Sequence, residues 1–112
     1  IHNSMHYTIE ACECSQFENH VRAILGLPLG STEMVAPAAV MINMLGEEQG
    51  SGYPTGIDQA LQQKGAHIHV YGKAKTTIGR KMGHVTALGR NVEQAETSAA
   101  DAAKCIRFGA QK

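Results

Sequence analysis

The chain has 112 residues, is 43% hydrophobic and sets ten basic residues against ten acidic ones. That length fits one domain, able to bury roughly two thirds of its unfolded surface. A net charge of zero argues against a nucleic-acid surface, which needs a concentrated positive footprint, and no run of eighteen apolar residues is present to span a membrane.

The chain opens on Ile1-His2-Asn3 rather than methionine and carries no secretory leader, so it reads as part of something longer. Residues Tyr7 to Cys14 partly alternate and contain Thr and Ile, which predicts a short strand or extended lead-in. Cys12 and Cys14 would then point to opposite faces. With Cys105 they make an odd count without a dense framework, which favours a reducing, cytoplasmic compartment. Ser15 and Glu18 form a capping box that starts a helix. Its apolar face is Phe17, Val21, Ile24 and Leu25, and Gly26 and Pro28 end it.

Leu27 to Pro37 is a loop, and Ala38 to Leu45 a buried strand in which Val40 and Ile42 favour extended backbone. Gly46 to Gly56 is polar and glycine-rich. Ile57 to Gln63 allows two helical turns, with Ile57, Ala60 and Leu61 inward, ended by Gly65. Ala66 to Tyr71 is a second strand, with His67 and His69 on one face and Ile68 and Val70 on the other. A turn over 73–79 leads to a third strand, Met82 to Leu88. Asn91 and Gln94 cap a long last helix whose stripe is Val92, Ala95, Ala99, Ala102, Ala103 and Ile106, and which ends near Phe108-Gly109. The order is that of an α+β fold, a small mixed or antiparallel sheet packed with helices.

Three groups of residues bear on chemistry. His67 and His69, with His84 across a hairpin, have zinc-ligand types, but a solvated strand face accounts for the same pattern. Lys73, Arg80 and Lys81 flank a short excursion containing Lys75, Thr76, Thr77 and Gly79. An arginine fork and lysine charges suit a phosphate or carboxylate, and a charged hairpin tip is the alternative. Gly72-Lys73 lacks the glycine pattern and following hydroxyl of a Walker loop. His2-Asn3-Ser4 alone reads as a frayed end.

Taken together, His2 to Cys12, Ser15 to Ala23, Gly26 to Gly30, Tyr71-Gly72-Lys73 and Gly79 to Val85 resemble the N5-carboxyaminoimidazole ribonucleotide synthetase family of ATP-grasp enzymes, the ATPase component of phosphoribosylaminoimidazole carboxylase. The resemblance covers roughly residues 2 to 90. It implies the C-terminal portion of a ligase that uses ATP and Mg2+ to carboxylate aminoimidazole ribonucleotide with bicarbonate. It divides the chain into 1–14, the end of the catalytic motif; 15–90, a helix plus a small sheet; and 91–112, a terminal helix. It also implies missing N-terminal ATP-grasp domains and a fragment inactive in isolation. The surface those domains would cover, with the few polar breaks of Ala38 to Leu45, predicts a homodimer or larger assembly. Carried over by position, Asn3 is a metal and nucleotide-phosphate ligand, with Ser4 and His6 lining that region. Lys73 and Arg80 hold the ribonucleotide phosphate, supported by Lys81 and His84. Met5 departs from the pattern, because the family usually has glycine there. A non-catalytic module that binds ribonucleotide phosphate or forms dimers is the competing reading.

Overall fold

The computed structural model describes residues 1–109. A 3-10 turn, Asn3–Met5, leads into one turn of helix, α1 (Thr8–Ala11), and then α2 (Gln16–Ile24). The strand expected over Tyr7 to Cys14 is therefore replaced by a turn of helix over Thr8–Ala11. The Thr8 hydroxyl donates to the Met5 carbonyl at 2.7 Å and accepts from the Gln16 N–H at 3.0 Å, clamping three short elements. This is the local side-chain bonding by which threonine diverts backbone from a strand. Cys12 has extended backbone, in a single bridge to Met34.

Ser15 caps α2 as expected, accepting from the Glu18 N–H at 3.1 Å, but Glu18 turns its carboxylate to Arg22 at 2.6 Å instead of completing the box. Gly26 takes the left-handed conformation, φ 72°, that closes the helix. The apolar face of α2 is exposed, with Val21 at 53%, Ile24 at 69% and Leu25 at 65%. The radius of gyration, 15.2 Å, accordingly exceeds the ~13 Å of a compact 100-residue domain.

The next strand, β1 (Ala38–Leu45), has the expected bounds. Two short strands, β2 (Gly50–Ser51) and β3 (Pro54–Thr55), occupy the glycine-rich stretch. Then come α3 (Ile57–Ala60), β4 (Ala66–Val70), β5 (Lys75–Thr76), β6 (Lys81–Gly89), α4 (Val92–Ala103) and β7 (Arg107–Phe108). Leu61, expected inward, is 64% exposed because α3 stops after one turn. The last helix ends at Ala103, short of the expected Phe108, so that Arg107 and Phe108 can pair with β3. Residues 110–112, the end of the terminal segment 91–112, lie outside the described residues.

The main sheet is antiparallel in the order β1-β6-β4. On one face Val40, Ile42, Met44, Val85, Ala87, Ala66 and Ile68 form the core with Ala99, Ala102 and Ile106. Small residues let α4 lie close against the sheet, since Ala95, Ala99 and Ala102 are fully buried. A bulge where Met44 and Leu45 face Gly83 and Lys81 leaves Met82 unpaired and drops it into this core. The bulge has a second effect. Leu45 alternates from Met44, so its partner Lys81 lies on the opposite face, the face that carries Asn43 and His84.

Candidate functional site

That opposite face bears a polar row. Asn43, His84 and His69 stand side by side on β1, β6 and β4, and the N-terminal turns lie over them. Glu10 of α1 joins His69 through Nε2. His69 and His84 stack with ring centroids 4.4 Å apart and planes 13° from parallel. Tyr71 Oη and His84 Nδ1 share a hydrogen bond of 2.9 Å. His84 is 1% exposed, and its Nε2 has no partner among the described residues. Burial, with His69 and His6 nearby, lowers its pKa to about 4, so the ring is neutral at physiological pH. Burial likewise raises the Tyr71 phenol above its usual value and keeps it protonated.

His6 faces the same group, 5.2 Å from the His84 ring. The Gln16 amide nitrogen donates to His6 Nδ1 at 2.9 Å and to the His2 carbonyl at 2.9 Å, which makes His6 Nδ1 an acceptor. Burial lowers the His6 pKa, and so, in decreasing order, do His69, His2 and Lys81. Asn3 donates its amide N–H to Asn43 Oδ1 at 2.8 Å. Ser4 is exposed and bonds only locally, with Oγ 2.9 Å from His2 Nδ1. It borders a shallow cavity of about 510 Å³ shared with Tyr7, Met41 and Asn43.

The cations gather at one end of this row. The Tyr71 N–H donates to the Met82 carbonyl at 3.0 Å and closes the base of the loop over 73–80. Lys73 Nζ donates to the Lys81 carbonyl at 2.6 Å and lies 5.7 Å from the Tyr71 ring centroid. Arg80 is exposed, and among the described residues its guanidinium has no ion-pair or hydrogen-bond partner. The structure thus brings together Asn3, His6, Lys73, Lys81 and His84. Arg80 sits at the same loop base through its backbone, and Ser4 lies at the rim.

The histidines do not make a metal centre. Among the described residues no three His, Cys, Asp or Glu side chains could hold an ion together, and stacked rings cannot aim their nitrogens at one point. Asn3 keeps its Oδ1 as one oxygen for a hard cation such as Mg2+. One oxygen is not a magnesium site, so any further ligands belong to residues other than these. Met5 occupies the 3-10 turn with no positive φ and a half-exposed side chain, so its backbone does not require the glycine usual there.

Sequence reading missed Asn43, Tyr71 and the Glu10–His69 pair. Asn43 had a signal, as the one polar residue in an eight-residue apolar strand. Tyr71 sits within a recognised block, yet only its neighbour Lys73 received a role. Nothing in the sequence ties Glu10 to a histidine 59 positions away.

Comparison with known proteins gives a consistent picture. Residues 39–98 match the family model described as the phosphoribosylaminoimidazole carboxylase C-terminal domain. The N5-carboxyaminoimidazole ribonucleotide synthase of Vibrio cholerae is 53% identical over 85 residues, 76% of this chain and 20% of that protein. The crystal structure of N5-carboxyaminoimidazole ribonucleotide synthetase from Thermotoga maritima superposes with a TM-score of 0.89 at 51% identity, covering 98% of this chain and 31% of that one. The Aspergillus clavatus synthase, in complex with ADP and 5-aminoimidazole ribonucleotide, matches with a TM-score of 0.78 at 40% identity over 93% of this chain and 28% of that one. The chain spans about a fifth of the length of the curated relatives it matches.

Proposed function

Because this chain belongs to the phosphoribosylaminoimidazole carboxylase C-terminal domain family, we propose that it forms the C-terminal part of an ATP-dependent ligase that carboxylates 5-aminoimidazole ribonucleotide with bicarbonate. One observation carries the assignment to this face of the sheet. The Lys73 ammonium sits on the Lys81 backbone carbonyl at a loop base beside a buried neutral polar row that reaches Asn3. Lys73 spends one of its three N–H donors on the Lys81 carbonyl and keeps two for an anion. Arg80 is exposed with its fork available. In this reading Lys73 and Arg80 hold the ribonucleotide phosphate, with Lys81 and His84 in support. Binding energy from that remote phosphate orients the reacting amine.

Asn3, Ser4 and His6, on the N-terminal turns that lie over the row, are proposed to face the nucleotide phosphates and Mg2+. When bound, the metal would neutralise phosphate charge. Asn3 would contribute its Oδ1, oriented by the amide bond to Asn43. Residues 1–14, 15–90 and 91–112 serve as motif end, sheet domain and terminal segment. The N-terminal ATP-grasp domains of the family complete the site, and the isolated chain does not turn over. Three free cysteines support a cytoplasmic location, which cell fractionation would check. The exposed row Val21, Ile24 and Leu25 supports a homodimer. A complete protein that runs as a monomer in light scattering would remove that part of the reading.

The test is a double-mutant cycle in the complete enzyme. Arg80→Ala and Lys73→Ala should each weaken ribonucleotide capture by about 2 kcal/mol, non-additively because both donors share one anion, with ATP affinity unchanged. Loss of ATP affinity with normal ribonucleotide capture would assign these cations to the wrong ligand.

A further inference from the structure

We propose that Tyr71 and His84 are positioning residues for the anion site: the Tyr71 ring, fixed from below by His84, is the seat that holds the Lys73 ammonium at the loop base. The inference rests on the phosphate reading above, adds Tyr71 to it, and makes the support that His84 gives indirect, through Tyr71 and without touching substrate.

The geometry runs in layers. His84 is fully enclosed on the central strand and held on one side by its stack with His69. His69 is in turn tied to Glu10 of α1. These contacts hold the His84 ring in one orientation. Its Nδ1 fixes the Tyr71 hydroxyl at 2.9 Å, and so fixes where the Tyr71 ring stands, while the His6 ring meets it edge-on at 6.3 Å. Gly72 follows at φ 78°, with nothing within 4 Å of where a Cβ would stand. That left-handed turn needs glycine for its backbone conformation rather than for space. It folds the chain back so that Lys73 Nζ comes to 5.7 Å from the ring. The ammonium is thereby placed by two neutral contacts, the ring and the Lys81 carbonyl. Neither competes with an anion for the positive charge, as a carboxylate partner would. A lysine held this way loses little side-chain freedom when the anion arrives, so the seat lowers the entropic cost of binding.

A purely structural role for the Tyr71–His84 bond would change stability and leave the substrates equally affected. The positioning role separates them. In the complete enzyme, Tyr71→Leu should raise KM for 5-aminoimidazole ribonucleotide about tenfold, within the span of a cation–π contact, and leave KM for ATP unchanged. Tyr71→Phe keeps the ring and loses the hydroxyl anchor, so it should raise the same KM by only about threefold. Adding Tyr71→Leu to Lys73→Ala should change nothing further, because the seat has no occupant. Should Tyr71→Leu fail to fold, the Tyr71→Phe comparison in the presence and absence of Lys73→Ala carries the test. Equal rises in both KM values, or a Tyr71 effect that persists in full without Lys73, would overturn the inference while leaving the phosphate reading intact. An unchanged ribonucleotide KM in Lys73→Ala would overturn both.

Discussion

The two faces of the central sheet are made from alternate residues of the same three strands, and they hold together by different physics. On the core face, Val40, Ile42, Val85, Ala87 and Ile68 meet the alanines of α4. Each contact there is short-ranged, non-directional and replaceable by volume. On the other face, Asn43, His84 and His69 depend on named partners from elsewhere in the chain: Asn3, Tyr71 and Glu10. Those contacts are directional, and they depend on protonation. The difference teaches where each kind of perturbation should act. Changes of volume should damage the first face, and changes of proton or partner the second.

Acid is the sharpest way to separate them. His84 has its pKa lowered to about 4 against an ordinary value of 6.5. Between those values the unfolded chain binds a proton that the native state does not, so stability falls as pH drops through this window and is unaffected above it. Integrated over the window the loss is ~3 kcal/mol. His6 shifts in the same direction and adds to it. Around His84 the facing groups are His69, His6 and Tyr71, and none of these is an acid that would stabilise its charged form. Urea denaturation between pH 7.5 and 4.5 measures the slope. His84→Gln should be less stable than the parent at pH 7.5 and show a flatter pH dependence. A parent stability that is level from pH 6.5 to 4.5 would mean that the polar face is not buried as a neutral unit.

The core face was legible from sequence, and most of the polar face was not, for a physical reason. Period-two alternation in Ala66 to Tyr71 and the apolar run Ala38 to Leu45 located both strands, although β1 is fully buried only at Ala38 and Met44, and Val70 is 38% exposed. The stripe Ala95, Ala99, Ala102 and Ile106 was legible for the same reason. A hydrogen bond between residues 59 apart leaves no periodic trace, so Glu10–His69 was invisible. The bulge that sends Met82 inward and Lys81 to the polar face is likewise silent, because one extra residue inverts the alternation without altering composition. The cation group was legible because charge at the ends of strands is conspicuous. Its assignment to phosphate came from the resemblance and not from spacing. α2 shows the opposite error. Its apolar periodicity is real, but it faces outward in this chain.

Volume tests the core face. Ala99 is fully buried between α4 and the sheet, so Ala99→Leu should force α4 away and cost roughly 2 kcal/mol by overpacking. Ala100, one position along the same helix, is exposed, and Ala100→Leu should stay within about 0.5 kcal/mol of the parent. Thermal unfolding of both variants across pH 5 to 8 is the measurement. The Ala99→Leu deficit should be the same at every pH, since no titrating group faces it. A deficit that grows on acidification would show that the two faces are coupled through the strands.

The smallest expected effect compares α4, which covers the core face, with α2, which packs on α1 above the polar face. Asn91 caps α4 by accepting from the Gln94 N–H at 2.8 Å, and Ser15 caps α2 by accepting from the Glu18 N–H at 3.1 Å. Each cap satisfies one otherwise unpaired donor, and replacing it with alanine costs about 1 kcal/mol of helix stability. The two losses should be read out differently. α4 buries Ala95, Ala99 and Ala102, so it cannot open without exposing the core, and Asn91→Ala should lower the global unfolding free energy by close to that full amount. α2 leaves Val21, Ile24 and Leu25 exposed and is tied down mainly at its first turn, through Gln16 and the Thr8 hydroxyl. Its last turns can open while the sheet stays folded. Ser15→Ala should therefore speed amide hydrogen exchange from Val21 to Leu25 about fivefold, while shifting the urea midpoint less than Asn91→Ala does. Equal midpoint shifts, with no local acceleration, would place α2 in the same cooperative unit as α4. The polar face would then be held as rigidly as the core.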